Sequence, residues 1–500
     1  MGEYEFRTKP FDHQTRIFNE TRDVKAHALL WEQGCAKTKP TIDIACYNFL
    51  RCTIDAMLIV APPGVERNWL SDEIPVHMPE PVLKRAHLFF WRTKKAQTKW
   101  HEAAFQKCLI HDGLAVFAIS YEAFMTKRGK AAIWAFLRRR RVFYIVDEGH
   151  NIKTPKAKRT RSIVNSARYA EYRRLLTGTP GDKPFDLYSQ LKFVRPDIWN
   201  QVHAHNFHAF KHHFGEWLDR EEFKIENGYD LGYDKLLDYK NLEQLNSILR
   251  SVSDRVLKED VLDLPPKLYT KVYFEMTPRQ RAMYEELREE YILELQNGAV
   301  VDGALAIVRL LRLQQIACGY AVSAADEPIE LCDKTNPRLD ASLGFLENIN
   351  HQVIIWSRFR FDRDLLSDAL GKRAVRYDGT MDEDEAERSK LAFNAGDAQY
   401  ILGSAQKGGS GLTLLGNKRA GNAKTTYYYS NTFKLIERLQ SEDRNHRPGA
   451  EGSEHGEHGF GVLYGDACCE DTVDMQIIRS LRDKFDIASK ITGDTLREWI

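Results

Sequence analysis

At 500 residues, with 43% apolar and 29% charged side chains, the chain is too long for one ordinary core and too apolar to be disordered. A net charge of +1 and a pI near 7.6 exclude any argument for nucleic acid from the whole-chain field, so such a partner must be met by local patches. No stretch reaches the roughly 18 apolar residues that cross a bilayer, and the eight cysteines form no CxxC pair. The N-terminus also lacks a basic segment followed by an apolar one. The expectation is a reduced cytosolic protein with no membrane partner, a nuclear location remaining open.

Short apolar runs separated by helix-length segments predict strands at Ala28–Trp31, Met57–Val60, Leu114–Ile119, Val142–Val146 and Arg174–Thr177. This alternation predicts a parallel sheet covered by helices on both faces. Before the first strand, Gln14 carries an amide that could read an adenine edge, since it both donates and accepts. After it, Glu32–Thr38 could hold phosphate: backbone N–H groups line the loop, Lys37 supplies a cation and Thr38 a hydroxyl for Mg²⁺. The strict G-x-x-x-x-G-K-[ST] pattern fails, because Trp31 and Ala36 stand at its glycine positions. By itself the segment fits an ordinary strand–turn–helix equally well.

The fourth predicted strand ends in Asp147 and Glu148, adjacent carboxylates suited to Mg²⁺ binding and water activation. The bland alternative is an acidic helix N-terminus. Two basic runs lie near it, Lys153 to Arg161 and Arg138–Arg141, and either could meet a duplex backbone or be a solvated face. Further along, Leu264–Lys267 contains two prolines and is the candidate hinge. Thr277–Gln280 offers a capping box, and Met283, Leu287, Tyr291 and Leu295 then predict the buried stripe of a helix. A second helix is predicted over Ala304–Ile316.

Strands resume at Val353–Trp356, Ala374–Tyr377, Tyr400–Leu402, Thr426–Tyr429 and Val462–Tyr464, so a second α/β lobe is expected. Arg444 and Arg447 are spaced to share one helix face and suit the charge of a transferring phosphoryl group. Gly416–Lys424 and Gly449–Gly459 read as loops. The second holds His455 and His458, with Cys468 and Cys469 downstream, but no ligand pair at zinc spacing.

In this order, from Phe11 to about Ser489, the segments resemble the Swi/Snf-type DNA translocases of helicase superfamily two. Phe11–Gln14 resembles that family's adenine-reading motif, Glu32–Thr38 its phosphate loop, and Ile59–Pro63 with Asn68 and Trp69 the motif that lies against a DNA strand. Asp147–His150 resembles its Asp-Glu-x-His motif, and Leu176–Pro180 the motif coupling nucleotide state to DNA grip. Asp186–Pro196, Leu257–Lys267, Gly408–Thr413 and Gln440–Gly449 resemble later motifs. Ala36 stands where glycine is usual, Gly149 where alanine is, and Pro448 where an aliphatic residue is.

The resemblance implies an α/β fold of two RecA-like parallel-sheet lobes in tandem, with helical protrusions between them. The lobes would span residues 1–195 and 336–500, the protrusions 196–263 and 264–335. It implies an ATP- and Mg²⁺-dependent motor acting on double-stranded DNA without reading sequence, forked or branched DNA included, as a monomer. A strand-separating DNA or RNA helicase is the alternative, and a non-catalytic nucleic-acid-binding scaffold a remote one. Its compactness suggests a viral or mobile-element origin. Carried over residue by residue, Lys37, Asp147, Glu148, Gln440, Arg444 and Arg447 would be catalytic. Gln14, Gly34, Cys35, Ala36, Lys37, Thr38, Lys39 and Gly411 would bind nucleotide, with Thr38 and Asp147 on the metal. Thr177, Gly178 and Thr179 would couple the cycle to movement, and Pro62, Lys153, Lys156, Lys158 and Arg159 would contact DNA.

Overall fold

A computed structural model describes residues 4–227, 232–296, 303–323, 325, 327–332, 335–408, 413–417, 422–447, 461–494 and 499. Gly411, Pro448, His455 and His458 lie outside the described residues. The chain divides into two compact units. The first comprises Met1–Phe214, Lys240–Asp263 and Ile487–Thr495, and the second Gly215–Tyr239, Leu264–Asp486 and Leu496–Ile500.

In chain order the early strands are β1 (Ala26–Leu29), β2 (Ala56–Ala61), β3 (Ala86–Phe90), β4 (Leu114–Ser120), β5 (Val142–Asp147) and β6 (Tyr172–Leu176). They are followed by β7 (Gly215–Leu218), β8 (Lys235–Tyr239) and the two-residue β9 (Ser253–Asp254). The first unit is built on one parallel sheet in the order β3-β4-β2-β5-β6-β1-β9. Every residue of β2, β4 and β5 is buried, because helices cover both faces and the strands can therefore be continuously apolar. β3 and β9 escaped the sequence reading. β3 is half-buried at the sheet edge and carries His87, and β9 is too short to leave a pattern.

The later strands are β10 (Lys267–Tyr273), β11 (Tyr320–Val322), β12 (Pro328–Glu330), β13 (Val353–Trp356), β14 (Ala374–Tyr377), β15 (Tyr400–Gly403), β16 (Thr425–Tyr428) and β17 (Val462–Cys468). The second unit holds a second parallel sheet, ordered β10-β17-β16-β13-β15-β14. β7 pairs with β8, and β11 with β12, as small antiparallel hairpins. Two parallel sheets with helices bear out the expected two-lobed α/β class. The strand β10 begins at Lys267, where the sequence suggested only a hinge. Its half-exposed, Lys- and Tyr-bearing pattern is that of an edge strand.

The capping box forms as predicted: Thr277 N–H donates to Gln280 Oε1 at 2.9 Å, and Gln280 N–H donates to Thr277 Oγ1 at 3.3 Å. The predicted stripe on that helix, Pro278–Gln296, is corrected. Met283 is 37% exposed, whereas Tyr284 is 1% exposed and Gln280 fully buried, so the packed face is shifted at the start of the stripe; Leu287 is half-buried, and the side chains of Tyr291 and Leu295 lie outside the described residues. Tertiary bonds decide it: the Tyr284 hydroxyl accepts from Val473 N–H, and Gln280 Nε2 donates to the Ile316 carbonyl.

Candidate active site

In a parallel sheet all carboxyl ends point the same way, and function collects there. Strands β5, β6 and β1 are neighbours whose ends are level: Asp147 pairs with Leu176, and Leu176 with Leu29. The loop after β1, the carboxylates ending β5 and the Thr177–Thr179 segment after β6 therefore meet at one edge. Sequence order hides this, since the three are separated by more than a hundred residues in places.

The loop after β1 folds left-handed at Gly34 (φ +94°) and Ala36 (φ +55°) and enters the helix Thr38–Leu50. At Ala36 that conformation costs a side-chain-bearing residue roughly 1–2 kcal/mol, so glycine would suit the backbone better. Lys37 Nζ donates to the carbonyls of Trp31 and Glu32 at 3.0 and 3.3 Å, which holds a cation in the mouth of the loop. Gln14 is buried; its Oε1 accepts from Phe11 N–H and its Nε2 donates to the Ala36 carbonyl at 3.0 Å. His13 reaches the Cys35 carbonyl at 3.1 Å. Gln14 thus lies against the loop, with its amide bonded to backbone. Cys35 is 1% exposed, and burial pushes its thiol up to about 11, so it offers backbone and no thiolate. The Lys39 side chain turns inward: its ammonium is buried 2.6 Å from Asp43 and 5.0 Å from the centre of the Phe6 ring.

Asp147 is 8% exposed; its Oδ2 accepts from Trp69 Nε1 and its Oδ1 from Glu148 N–H, both at 2.9 Å. Burial, with the neighbouring Glu148 charge adding to it, pushes the Asp147 carboxyl up to about 6. Glu148 is itself left-handed (φ 52°, ψ 58°), the kind of strained backbone that functional sites retain. Gln33 Nε2 donates to its Oε1 at 3.3 Å, and His150 Nδ1 stands 3.4 Å from its Oε2. The same His150 nitrogen is 3.4 Å from Thr177 Oγ1, which donates to the Thr179 carbonyl. One imidazole therefore joins the carboxylate segment to the Thr177–Thr179 segment.

Gly149 has a packing reason. A Cβ there would stand 2.6 Å from Leu175 Cδ2 and 2.7 Å from its Cγ, inside the buried strand β6. Gly149→Ala is expected to destabilise the chain by about 1–3 kcal/mol through overpacking, read as a lower urea midpoint. Tolerance without loss would mean that Leu175 has another rotamer to adopt.

Several contributors escaped the sequence reading. Tyr121 donates its hydroxyl to the Asp147 carbonyl at 2.6 Å. Arg255 Nη1 donates to the Gly178 carbonyl at 3.0 Å, and its Nη2 pairs with Asp494 at 2.8 Å. Lys258 N–H donates to Glu32 Oε2, and its Cε lies 3.3 Å from where a Cβ on Gly34 would stand. No local pattern marks Tyr121 or Arg255, and Lys258 was legible only as part of Leu257–Lys267, because each reaches the site from a distant segment. Trp69 was grouped with a DNA-facing motif, yet its indole N–H holds the Asp147 carboxylate.

Among the expected DNA contacts, Lys153 pairs with Asp182 and Asp186 at 3.5 and 3.2 Å, and Arg159 with Glu122 at 3.6 Å. Lys156 and Lys158 are exposed, and no ion pair holds either among the described residues; Pro62 is half-buried. In the Arg138–Arg141 run, Arg140 donates to the carbonyls of Asp55, His111 and Gly113, and Arg141 to that of Cys52. These two arginines fasten strand starts.

In the second unit, the helix Leu435–Glu442 ends before the arginines, so Arg444 and Arg447 share no helix face; both lie in the turns that follow. Each closes its turn, Arg444 Nε donating to the Gln440 carbonyl and Arg447 Nε to that of Asp443, both at 2.7 Å. Arg447 Nη1 also donates to Thr413 Oγ1 at 2.9 Å, and Leu414 N–H to the Arg444 carbonyl at 3.1 Å, which joins the two motifs. Arg444 is 1% exposed. Beneath them Glu442 accepts from Lys267 Nζ, the Tyr269 hydroxyl and Arg438 Nε at 2.9–3.0 Å. Burial pushes the Glu442 carboxyl up, but Lys267 and Arg438 outweigh it and hold the group below its ordinary value.

The first-unit site fits a nucleotide triphosphate with a divalent cation. Its loop backbone is already left-handed, its cation rests on carbonyls that a phosphate could replace, and two crowded carboxyls would be relieved by a metal.

Residues 13–320 match the family described as SNF2-related domain. The transcription regulatory protein SNF2 of Saccharomyces cerevisiae is 26% identical over 445 residues, covering 84% of this chain and 24% of that protein. The SWI/SNF-related matrix-associated actin-dependent regulator of chromatin subfamily A member 1 of Homo sapiens is 26% identical over 444 residues, 84% of this chain and 38% of that one. The probable ATP-dependent DNA helicase CHR12 of Arabidopsis thaliana is 26% identical over 440 residues, with 84% and 36% covered. The chain thus spans about a quarter to two-fifths of the length of these curated relatives, which give no support to a viral origin. The Sulfolobus solfataricus SWI2/SNF2 ATPase core in complex with dsDNA is 20% identical, with 99% of this chain and 96% of that one covered at a TM-score of 0.40.

Proposed function

Because this chain belongs to the SNF2-related domain family, we propose that it is a DNA-dependent ATP hydrolase that moves along double-stranded DNA without reading sequence. One observation carries the reading. The loop after β1, the carboxylates ending β5 and the segment after β6 sit at level ends of adjacent strands, with His150 linking the last two.

In this reading Lys37 orients the β- and γ-phosphates, with backbone N–H groups of Gly34, Cys35 and Ala36 around them. Lys39 contributes at most its backbone N–H, its ammonium being held by Asp43. Gln14 sets the loop against the adenine side. Thr38 and Asp147 would hold Mg²⁺, which would supply charge to neutralise the phosphates. Glu148 takes the proton of the attacking water on its carboxylate. Arg444 and Arg447 are assigned the charge that develops on the transferred group, with Gln440 in the same motif and Gly411 in the preceding Gly408–Thr413 motif. Thr177, Gly178 and Thr179 pass the state of the site onward through His150. Lys156 and Lys158 supply salt-sensitive contacts to the duplex backbone, with Pro62 along the strand.

The test is ATP turnover of the full chain on duplex, single-stranded and forked DNA and on RNA. Duplex should stimulate most and leave its strands paired. Equal or greater stimulation by single strands or RNA would overturn duplex tracking. Displacement of a labelled strand from a forked duplex would make the protein a strand-separating helicase.

A further inference from the structure

The helix Phe207–Phe214 in the first unit carries a cluster the nucleotide chemistry does not use. His208 and His212 are one turn apart and exposed, and their Nε2 atoms face each other at 3.2 Å with ring centroids 4.3 Å apart. Two imidazole nitrogens each about 2.0–2.1 Å from a tetrahedral zinc stand about 3.3–3.4 Å apart, so this pair, which shares a hydrogen bond in the chain alone, need separate only slightly to chelate.

The backbone beneath the pair is held firmly. Phe210 and Phe214 on the opposite face are fully buried, and Phe210 packs 4.5 Å from Trp199, centre to centre. His213 bonds Gln244 at 2.7 Å, and Asn241 Nδ2 donates to the His213 carbonyl at 2.8 Å. Little backbone entropy is therefore left to lose when a metal joins the two rings. His205 points elsewhere, its Nδ1 lying 3.3 Å from Asn200 Oδ1.

We propose that His208 and His212 form a two-point chelate for a divalent late transition ion, clasping one turn of this helix. Neutral imidazole suits Zn²⁺, Ni²⁺, Co²⁺ and Cu²⁺ and disfavours Mg²⁺ and Ca²⁺, so the site is chemically separate from the Mg²⁺ assigned to Asp147 and Thr38. Among the described residues no group of three or more His, Cys, Asp or Glu side chains is placed to hold a metal, so two protein ligands are assigned here.

Calorimetric titration of Zn²⁺ into the chelator-treated full chain tests this, with Cu²⁺ electron paramagnetic resonance counting ligand nitrogens. The wild type should take up one equivalent bound by two nitrogens. His208→Ala and His212→Ala should each weaken it by at least the about 10–100-fold that even an outer-shell change costs, and leave one nitrogen. Both positions are exposed, so unchanged far-ultraviolet circular dichroism is expected, and His205→Ala should bind like wild type. Wild-type affinity in His208→Ala would overturn the assignment. So would loss of the equivalent in a His455→Ala, His458→Ala double variant, which would assign the ion to those two residues instead. Neither outcome touches ATP turnover, so this proposal and the ATPase reading fail separately.

Discussion

Glu148→Gln is expected to bind ATP as the wild type does and to turn it over about 10²-fold or more slowly, the contribution of a positioned general base. The substitution keeps shape, and a glutamine oxygen can still accept from Gln33 Nε2, which now donates to Glu148 Oε1 at 3.3 Å. The left-handed backbone at residue 148 is retained too, since the Tyr121 hydroxyl and Asn151 Nδ2 hold its carbonyl at 3.3 and 2.9 Å. What disappears is the carboxylate: its capacity to take a proton, its charge beside Asp147 and its pairing with His150 Nδ1. Single-turnover phosphate release beside equilibrium binding of a fluorescent nucleotide separates the two steps. Turnover within threefold of wild type would remove Glu148 from its role, and loss of binding would assign it to the loop instead.

Arg438→Met is expected to lower the stability of the second unit by about 3–5 kcal/mol, the cost of breaking a buried ion pair from one side. Arg438 is 1% exposed, and its Nε lies 2.9 Å from Glu442. Its Nη2 lies 3.0 Å from Asp466, its Nη1 2.8 Å from Asn431, and its guanidinium 3.5 Å from the centre of the Tyr428 ring. Methionine fills much of the volume but leaves Asp466 without its arginine and Glu442 with Lys267 as its remaining cation. Because Glu442 ends the helix from which Arg444 and Arg447 emerge, ATP turnover should fall as well. Urea unfolding followed by circular dichroism reads the first effect and phosphate release the second. An unchanged midpoint would mean that these carboxylates are hydrated or paired elsewhere.

Much of the architecture was legible because buried parallel strands must be apolar on both faces. Val353–Trp356 and Ala374–Tyr377 were placed residue for residue, and Val142–Val146 missed only the Asp147 that ends it. β3 and β10 went unseen because edge strands mix His, Lys and Tyr into a pattern that helices and loops share. On the helix Pro278–Gln296 a simple spacing of four chose Met283 over Tyr284, since periodicity ranks apolar character and ignores a tyrosine hydroxyl with a buried partner.

Local sequence determined which groups could do chemistry: a lysine and threonine after one strand, two carboxylates after another, two arginines near the end. Residue type and immediate neighbours suffice for that, because they fix charge, donor count and backbone preference. Tertiary structure decided which of those groups are engaged and by what. It turned Lys39 toward Asp43, tied Lys153 to Asp182 and Asp186, and set Arg140 and Arg141 on carbonyls. It also brought Arg255 and Trp69 to a site to which no motif assigned them. The reason is that ion pairs and hydrogen bonds reach only about 3 Å, and which atoms come that close depends on strand order and register, which no local stretch of chain encodes.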